Sequence, residues 1–96
     1  MRPSVAFEQN RQAVREAISR SRTTNPRVFG STLHGCDEEG SDLDLLVDAL
    51  PGATLFDLSR LQIRLEELLG VKVDIRTAAD LPPKFRDRVV NEAMPV

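Results

Sequence analysis

The sequence is poor in the residues that build disulfides, histidine-based sites and aromatic cores. Its 96 residues include one cysteine, one histidine and four phenylalanines, with no tryptophan or tyrosine. The core must therefore be largely aliphatic. The single cysteine, Cys36, excludes an internal disulfide and a zinc site made of several cysteines. The lone His34 has no cysteine–histidine cluster or triad partner in evidence, and both residues are interpreted as loop residues.

The sequence also lacks long apolar runs and a strong excess of charge of one sign. No stretch approaches the ~20 apolar residues that a membrane-spanning helix requires. The first ten residues lack the apolar segment of a signal peptide. With a net charge of −2, broad electrostatic binding to nucleic acid is not expected. Residues 1–96 are therefore predicted to form a single cytoplasmic domain that binds neither membrane nor nucleic acid directly.

Apolar periodicity predicts an α+β fold in the order α-β-(turn)-β-α-β-α, with a mixed sheet of three to four strands and helices over one face. The predicted helices cover residues 3–22, 54–69 and 80–93, and the predicted strands cover residues 27–29, 43–48 and 71–76. Thr54 and Asp57 form a capping-box signature before the second helix, and Gly70 follows its expected end. Arg60 and Arg64, one turn apart on this helix, are predicted to lie on its solvated face.

Three aspartates occupy the polar positions of two predicted strands. Asp42 and Asp44 alternate with the apolar residues of the second strand, and Asp74 does so in the third. A crossover helix between these strands makes them parallel, and as neighbours they would carry all three aspartates on one face. Like charges at such distances repel, and a carboxylate takes up a proton unless a cation intervenes.

Converging carboxylates are typical of a magnesium site, because Mg²⁺ prefers oxygen ligands and is commonly held by carboxylates together with substrate phosphates. The Asp-x-Asp spacing suits a pair of ions ~3.5–4 Å apart, the arrangement used for in-line displacement at a phosphate. Gly30 and Ser31 follow the first strand. A helical turn that starts at Ser31 would offer backbone N–H groups and a hydroxyl to a triphosphate. The sequence therefore predicts Asp42, Asp44 and Asp74 as metal ligands of an Mg²⁺-dependent nucleotidyl-transfer site.

The motif G-S-x-x-x-G, followed by S-D-x-D and by one aspartate in a later strand, resembles the DNA polymerase beta-type nucleotidyltransferase superfamily. From residue 27 onward, the chain is similar to the minimal nucleotidyltransferases of that superfamily. The matching residues are Gly30, Ser31, Gly35, Ser41, Asp42, Asp44 and Asp74. The resemblance implies that Asp42 and Asp44 hold the metal ions and that Asp74 is a third ligand or a general base. It also implies that Gly30 and Ser31 bind the nucleotide.

The resemblance further implies a partner and a substrate. Many minimal members are antitoxins that assemble with a HEPN-domain toxin, a helical ribonuclease, and some transfer AMP from ATP to a toxin tyrosine with Mg²⁺. Many members have basic residues after the serine, whereas this chain has Thr32, Leu33 and His34. Two alternatives stay open. One is an antitoxin that blocks its partner by contact without catalysis, and the other is an enzyme that transfers a nucleotide to a small molecule or to RNA.

Overall fold

The computed structural model describes all 96 residues and has the predicted α+β class. The helices are α1 (Pro3–Gln9), α2 (Arg11–Ser19), α3 (Leu55–Leu69) and α4 (Pro83–Glu92), with a 3₁₀ turn at Ala78–Asp80. The strands are β1 (Thr23–Phe29), β2 (Leu43–Ala49), β3 (Val73–Arg76) and β4 (Met94–Pro95). None of the helices combines the length and apolar character that crossing a membrane requires.

The sheet is mixed, and its strand order is β3-β2-β1-β4. Strands β2 and β3 are parallel, whereas β1 is antiparallel to both β2 and β4. A parallel pair needs a crossover connection, and α3 provides it, which confirms the predicted arrangement. Strand β3 starts at Val73 rather than at residue 71, and the Glu66 carboxylate accepts the Val73 backbone N–H at 3.0 Å.

Helix α3 has the start and end signals that the sequence predicts. The Thr54 hydroxyl accepts a hydrogen bond from the Asp57 backbone N–H (3.4 Å), and the Asp57 carboxylate accepts one from the Thr54 N–H (2.8 Å). The helix ends at Gly70, whose φ of 68° lies in the left-handed region that favours glycine. One side of the helix is buried through leucines at helical spacing, namely Leu61, Leu65 and Leu69. Local sequence therefore determines the crossover.

The apolar core lies between one face of the sheet and helices α1, α2 and α3. On this face, Leu43, Leu45 and Val47 of β2 are completely buried. They belong to one cluster with side chains of the three helices and of β1 and β3, namely Ala6, Phe7, Val14, Ile18, Val28, Leu61, Leu65, Leu69, Val73 and Ile75. Burying an aliphatic or phenylalanine side chain contributes roughly 1.5–3 kcal/mol. The helices therefore cover one face, as predicted, and the other face carries the aspartates.

Leu46 departs from the alternation of buried and polar positions along β2. It shares a face with Asp44, yet it is completely buried. Its neighbours in register are Arg27 on β1 and Arg76 on β3. Arginine stems can cover an apolar neighbour while the guanidinium stays in water. The aspartate face is therefore not uniformly polar, and it has an apolar position one row away from the carboxylates.

The prediction of a single helix over residues 3–22 is wrong, because the chain forms α1 and α2 with a break at Asn10. Asn10 has φ −128° and ψ 21°, and its side-chain amide donates a hydrogen bond to the Ala6 carbonyl at 2.9 Å. Asparagine side chains compete in this way for backbone partners, which disfavours them inside helices. Helix α2 also ends earlier than predicted, at Ser19.

Strand β1 is longer than predicted, and β4 is missing from the prediction. Thr23 and Thr24, which precede the predicted strand, already pair with β2. The pairing register shifts before Arg27, where Asn25 has a left-handed φ of 54°. Strand β4 has two residues and pairs with β1. Such pairings depend on distant parts of the chain, so local patterns do not reveal them.

Candidate active site

Asp44 and Asp74 stand side by side on the polar face of the sheet. They are in register across the parallel strands β2 and β3, and the next residues along each strand, Leu45 and Ile75, are buried in the core. Side chains in register on neighbouring strands share a face, and successive side chains alternate between faces. Both carboxylates therefore point away from the helices, and the structure brings Asp74 to the side of Asp44.

Asp42 lies one residue before β2, at the end of this pair, and its side chain is exposed. Burial raises the pKa of Asp44, and the negative charges of Asp74 and Asp42 add to the effect, so that it reaches about 6. The positive charge of Arg76 acts in the opposite direction. Asp44 therefore interacts electrostatically with both of the other carboxylates.

The Asp74 carboxylate is engaged by Arg76. Arg76 Nε donates a hydrogen bond to Asp74 Oδ2 at 3.0 Å. The Arg76 side chain is 43% exposed and the Asp74 side chain is 34% exposed. An ion pair in contact with solvent contributes only about 0–1 kcal/mol to stability. The pair can therefore open at small energetic cost when another charged group approaches Asp74.

The three aspartates suit a divalent cation in charge and in chemistry. They supply hard oxygen ligands. Burial raises the pKa of Asp44 and the neighbouring carboxylates raise it further, and a cation would offset the part that is due to repulsion. They are not gathered around one point: no group of three or more Asp, Glu, His and Cys side chains lies close enough together to hold a metal ion. The residues fit Mg²⁺ by chemical type and by their neighbouring positions in the sheet, and binding would require the carboxylates to converge.

The backbone at the end of β1 packs directly against the Asp44 carboxylate. Gly30 has a φ of 75°, and a Cβ built on it would lie 3.2 Å from Cγ of Asp44 and closer still to its Oδ2. A side chain here would overlap the carboxylate, so both the conformation and the space require glycine. Gly30, which the sequence analysis assigns to nucleotide binding, is therefore in direct contact with the central aspartate.

The loop after Gly30 contains the helical turn that the sequence predicts. The Gly30 carbonyl accepts a hydrogen bond from the His34 N–H (3.2 Å), and the Ser31 carbonyl accepts one from the Cys36 N–H (2.9 Å). His34 and Cys36 are exposed in this loop, as expected of loop residues. His34 Nε2 also lies 3.4 Å from Oε2 of Glu92 on α4. Ser31 thus opens a turn beside the aspartates, and its role in nucleotide binding stays a prediction.

Asp37 is a buried residue that the sequence analysis missed. It is 3% exposed, and its Oδ2 accepts a hydrogen bond from the Ser4 backbone N–H at 2.8 Å. This hydrogen bond lowers the pKa of Asp37. It ties the loop between β1 and β2 to the first turn of α1, where backbone N–H groups lack partners within the helix. Asp37 precedes Glu38 and Glu39, so no sequence pattern separates it from surface acids.

Replacing Asp37 by Ala is expected to lower the free energy of unfolding by about 1–2 kcal/mol, because the Ser4 N–H loses its partner. Urea unfolding at pH 7, followed by circular dichroism, measures the change. Glu38→Ala is the matched control, because Glu38 is an exposed acid of the same loop, and its expected change is under about 0.5 kcal/mol. Equal losses in the two variants would contradict a capping role for Asp37.

Comparison with known proteins identifies the family. Residues 11–95 match the sequence profile of the nucleotidyltransferase domain family. The match includes every motif residue from Gly30 to Asp74. The chain therefore belongs to this family, which confirms the resemblance, and its activity class is that of a nucleotidyltransferase.

A relative and two solved structures extend this assignment. The chain is 44% identical over 69 residues to a predicted protein adenylyltransferase of Methanocaldococcus jannaschii. The aligned region covers 72% of this chain and 74% of the relative. The structure of a predicted minimal nucleotidyltransferase matches with a TM-score of 0.85 and 43% identity, over 97% of this chain and 95% of that one. A toxin–antitoxin crystal structure with AMP-PNP matches with a TM-score of 0.69 and 19% identity, over 97% of this chain and 71% of that one. The last match shows similarity of fold.

Proposed function

We propose that the chain is an Mg²⁺-dependent nucleotidyltransferase that transfers AMP from ATP to a hydroxyl of a protein partner. The observation that carries the proposal is the row formed by Gly30, Asp44 and Asp74, in which a position restricted to glycine contacts the Asp44 carboxylate and Asp74 stands beside Asp44. Transfer of a nucleotidyl group rests on positioning and charge neutralisation, and it needs no protein nucleophile. The name of the relative at 44% identity, a protein adenylyltransferase, supports AMP as the transferred group.

The aspartates have separate roles in the proposed reaction. Asp42 and Asp44 would hold the metal ions, which when bound supply positive charge at the triphosphate. Asp74 would be a further ligand or would accept the proton of the acceptor hydroxyl. The hydroxyl oxygen forms a bond to the α-phosphorus while the bond from that phosphorus to the bridging oxygen breaks, and pyrophosphate leaves.

The loop after β1 would hold the triphosphate. Gly30 and Ser31 begin a helical turn beside Asp44, so its free backbone N–H groups and the Ser31 hydroxyl are suited to an anion. Thr32 and Leu33 carry no charge. The phosphate contacts would therefore rest on hydrogen bonds and on the metal ions, with little help from basic side chains of this loop.

The proposed partner is a HEPN-domain toxin, with this chain as the antitoxin in a hetero-oligomer. The match in fold to a chain of a toxin–antitoxin structure with AMP-PNP supports a toxin partner and an adenine nucleotide. The size of the chain, 96 residues, leaves little room for a separate acceptor-binding domain within it. Recognition of the acceptor would then depend on the surface of the partner.

Incubation with α-³²P-labelled ATP, Mg²⁺ and a HEPN-domain toxin of the same genome is expected to label the toxin, and EDTA is expected to prevent labelling. The Asp42→Asn/Asp44→Asn variant is expected to give no label and to leave the toxin active. A folded variant that still neutralises the toxin fully would support inhibition by contact. Label that appears on RNA or on a small molecule, with none on the toxin, would contradict a protein acceptor.

A further inference from the structure

A groove rich in arginine lies between α2 and α3, away from the aspartates. Its volume is about 440 Å³, within the range of small-molecule sites. Helices α2 and α3 pack on the apolar face of the sheet, whereas Asp44 and Asp74 stand on the opposite face. The groove is therefore separate from the candidate active site. Its apolar part is formed by Ala13, Ala17, Leu61 and Leu68.

Four arginines line this groove, namely Arg20, Arg22, Arg60 and Arg64. None of them is among the residues that form ion pairs, in contrast to Arg11, Arg27 and Arg76, each of which has a carboxylate partner. Arg22 Nη1 is 3.4 Å from the Gly52 carbonyl oxygen, which is a neutral partner. The groove therefore collects guanidinium groups whose charges no carboxylate of the protein neutralises by direct contact.

The groove keeps an excess of positive charge when its acidic residues are counted. Glu16 and Asp57 are the acids that line it, so four arginines minus two acids leave a net charge of +2. The Asp57 carboxylate accepts hydrogen bonds from the backbone N–H and hydroxyl of Thr54, and it also attracts Arg22 and Arg60 without forming an ion pair with either. Arg60 and Arg64 are four residues apart on α3, and like charges at this spacing destabilise a helix. A bound anion would remove this repulsion.

We propose that the groove between α2 and α3 binds the phosphate groups of a small polyphosphate ligand, either a nucleotide or inorganic polyphosphate. A guanidinium group binds phosphate oxygens through two parallel hydrogen bonds, which recognise a phosphate more specifically than a point charge does. The volume fits a ligand of nucleotide size better than it fits a long protein segment, and the apolar part can contact a base. This site is independent of the proposed transfer reaction.

Isothermal titration of tripolyphosphate and of ADP tests the proposal, in EDTA and with the Asp42→Asn/Asp44→Asn protein so that no metal–nucleotide complex forms at the aspartates. Both ligands are expected to bind. Adding Arg60→Ala/Arg64→Ala is expected to weaken binding at least about tenfold, because two charge-assisted contacts are lost. Tighter binding of ADP than of tripolyphosphate would identify a nucleotide as the ligand, and the reverse would identify inorganic polyphosphate.

The matched control is Lys84→Ala/Arg88→Ala, which removes two positive charges one turn apart on the exposed face of α4. Its affinity for tripolyphosphate is expected to change less than about twofold. Chemical-shift mapping on the protein with all four groove arginines gives a second readout that needs no arginine variant, and the shifts are expected at Ser21 and Leu68. An equal loss of affinity in Arg60→Ala/Arg64→Ala and in Lys84→Ala/Arg88→Ala, or no binding at millimolar ligand, would overturn the proposal. Tighter binding of hexaglutamate than of tripolyphosphate would also overturn it, in favour of an acidic protein segment.

Discussion

Replacing Asp44 by Asn is expected to lower nucleotide transfer at least about 100-fold while making the metal-free protein more stable. The activity falls because the central carboxylate of the proposed metal site is lost. The stability rises because the Asp44 charge is half-buried and lies beside two other carboxylates, which raises its pKa to about 6. Exposure to solvent screens part of this repulsion, so the expected gain in the free energy of unfolding at pH 7 is about 1 kcal/mol.

The pH dependence of this difference has a definite sign. The pKa of Asp44 is about 6 in the folded protein and 3.8 without the fold, so between these values the folded state holds a proton that the unfolded state lacks. Stability therefore falls as the pH rises through this window, and the full penalty is present at pH 7. The difference between Asp44→Asn and the original protein should be near zero below pH 3.8 and largest above pH 6.

Urea unfolding of both proteins at pH 3.5 and pH 7, in EDTA, measures the difference. Mg²⁺ at pH 7 is expected to stabilise the protein that keeps Asp44 and to have a much smaller effect on Asp44→Asn, because a ligand stabilises the state that binds it. Asp87→Asn is the control, since Asp87 is an exposed aspartate of α4 that forms no ion pair and lies outside the carboxylate row. Equal stability of the Asp44→Asn variant and the original protein at pH 7 would contradict the electrostatic account, and unchanged transfer would contradict the catalytic one.

Replacing Gly30 by Ala is expected to lower transfer at least about 100-fold, because the new Cβ would displace the Asp44 carboxylate, and small misplacements of reacting groups have effects of this size. The free energy of unfolding is also expected to fall, by about 2–4 kcal/mol, from steric overlap together with strain at the φ of 75°. Labelled-ATP transfer and urea unfolding measure the two effects.

Gly70→Ala separates strain from overlap. Gly70 has a φ of 68°, close to that of Gly30, but a Cβ built on it meets no atom within 4 Å. This control is expected to lose only about 1 kcal/mol of stability from backbone strain and to keep its transfer activity. If Gly70→Ala and Gly30→Ala lowered transfer equally, contact with Asp44 would not explain the glycine at position 30.

The features that the sequence predicted well are those that local residues determine. Helix α3 has a capping box, regular leucines and a terminal glycine, so its bounds follow from the sequence alone. Its position between two apolar strands then fixes their parallel pairing, and with it the shared face of Asp44 and Asp74. The placement of Asp74 beside Asp44 therefore follows from a short chain of local rules.

The features that the sequence did not predict depend on distant contacts. Strand β4 and the first residues of β1 exist because other strands pair with them. Asp37 is buried because its carboxylate meets the Ser4 N–H, 33 residues away. The contact between Gly30 and Asp44 likewise forms only after β1 and β2 pair. The sequence could indicate a glycine at this loop, but the reason for it required the structure.

Asp44 and Asp74 lie on strands that differ in how readily they open. Strand β2 has a neighbour on each side, whereas β3 is an edge strand of four residues. Local opening is rarest in such central strands and more frequent at sheet edges. Asp44 thus lies on an internal strand, and Asp74 lies on an edge strand that opens more readily. At the proposed metal site, an ion would therefore draw Asp74 away from Arg76 more readily than it would displace β2 and the buried layer beneath it.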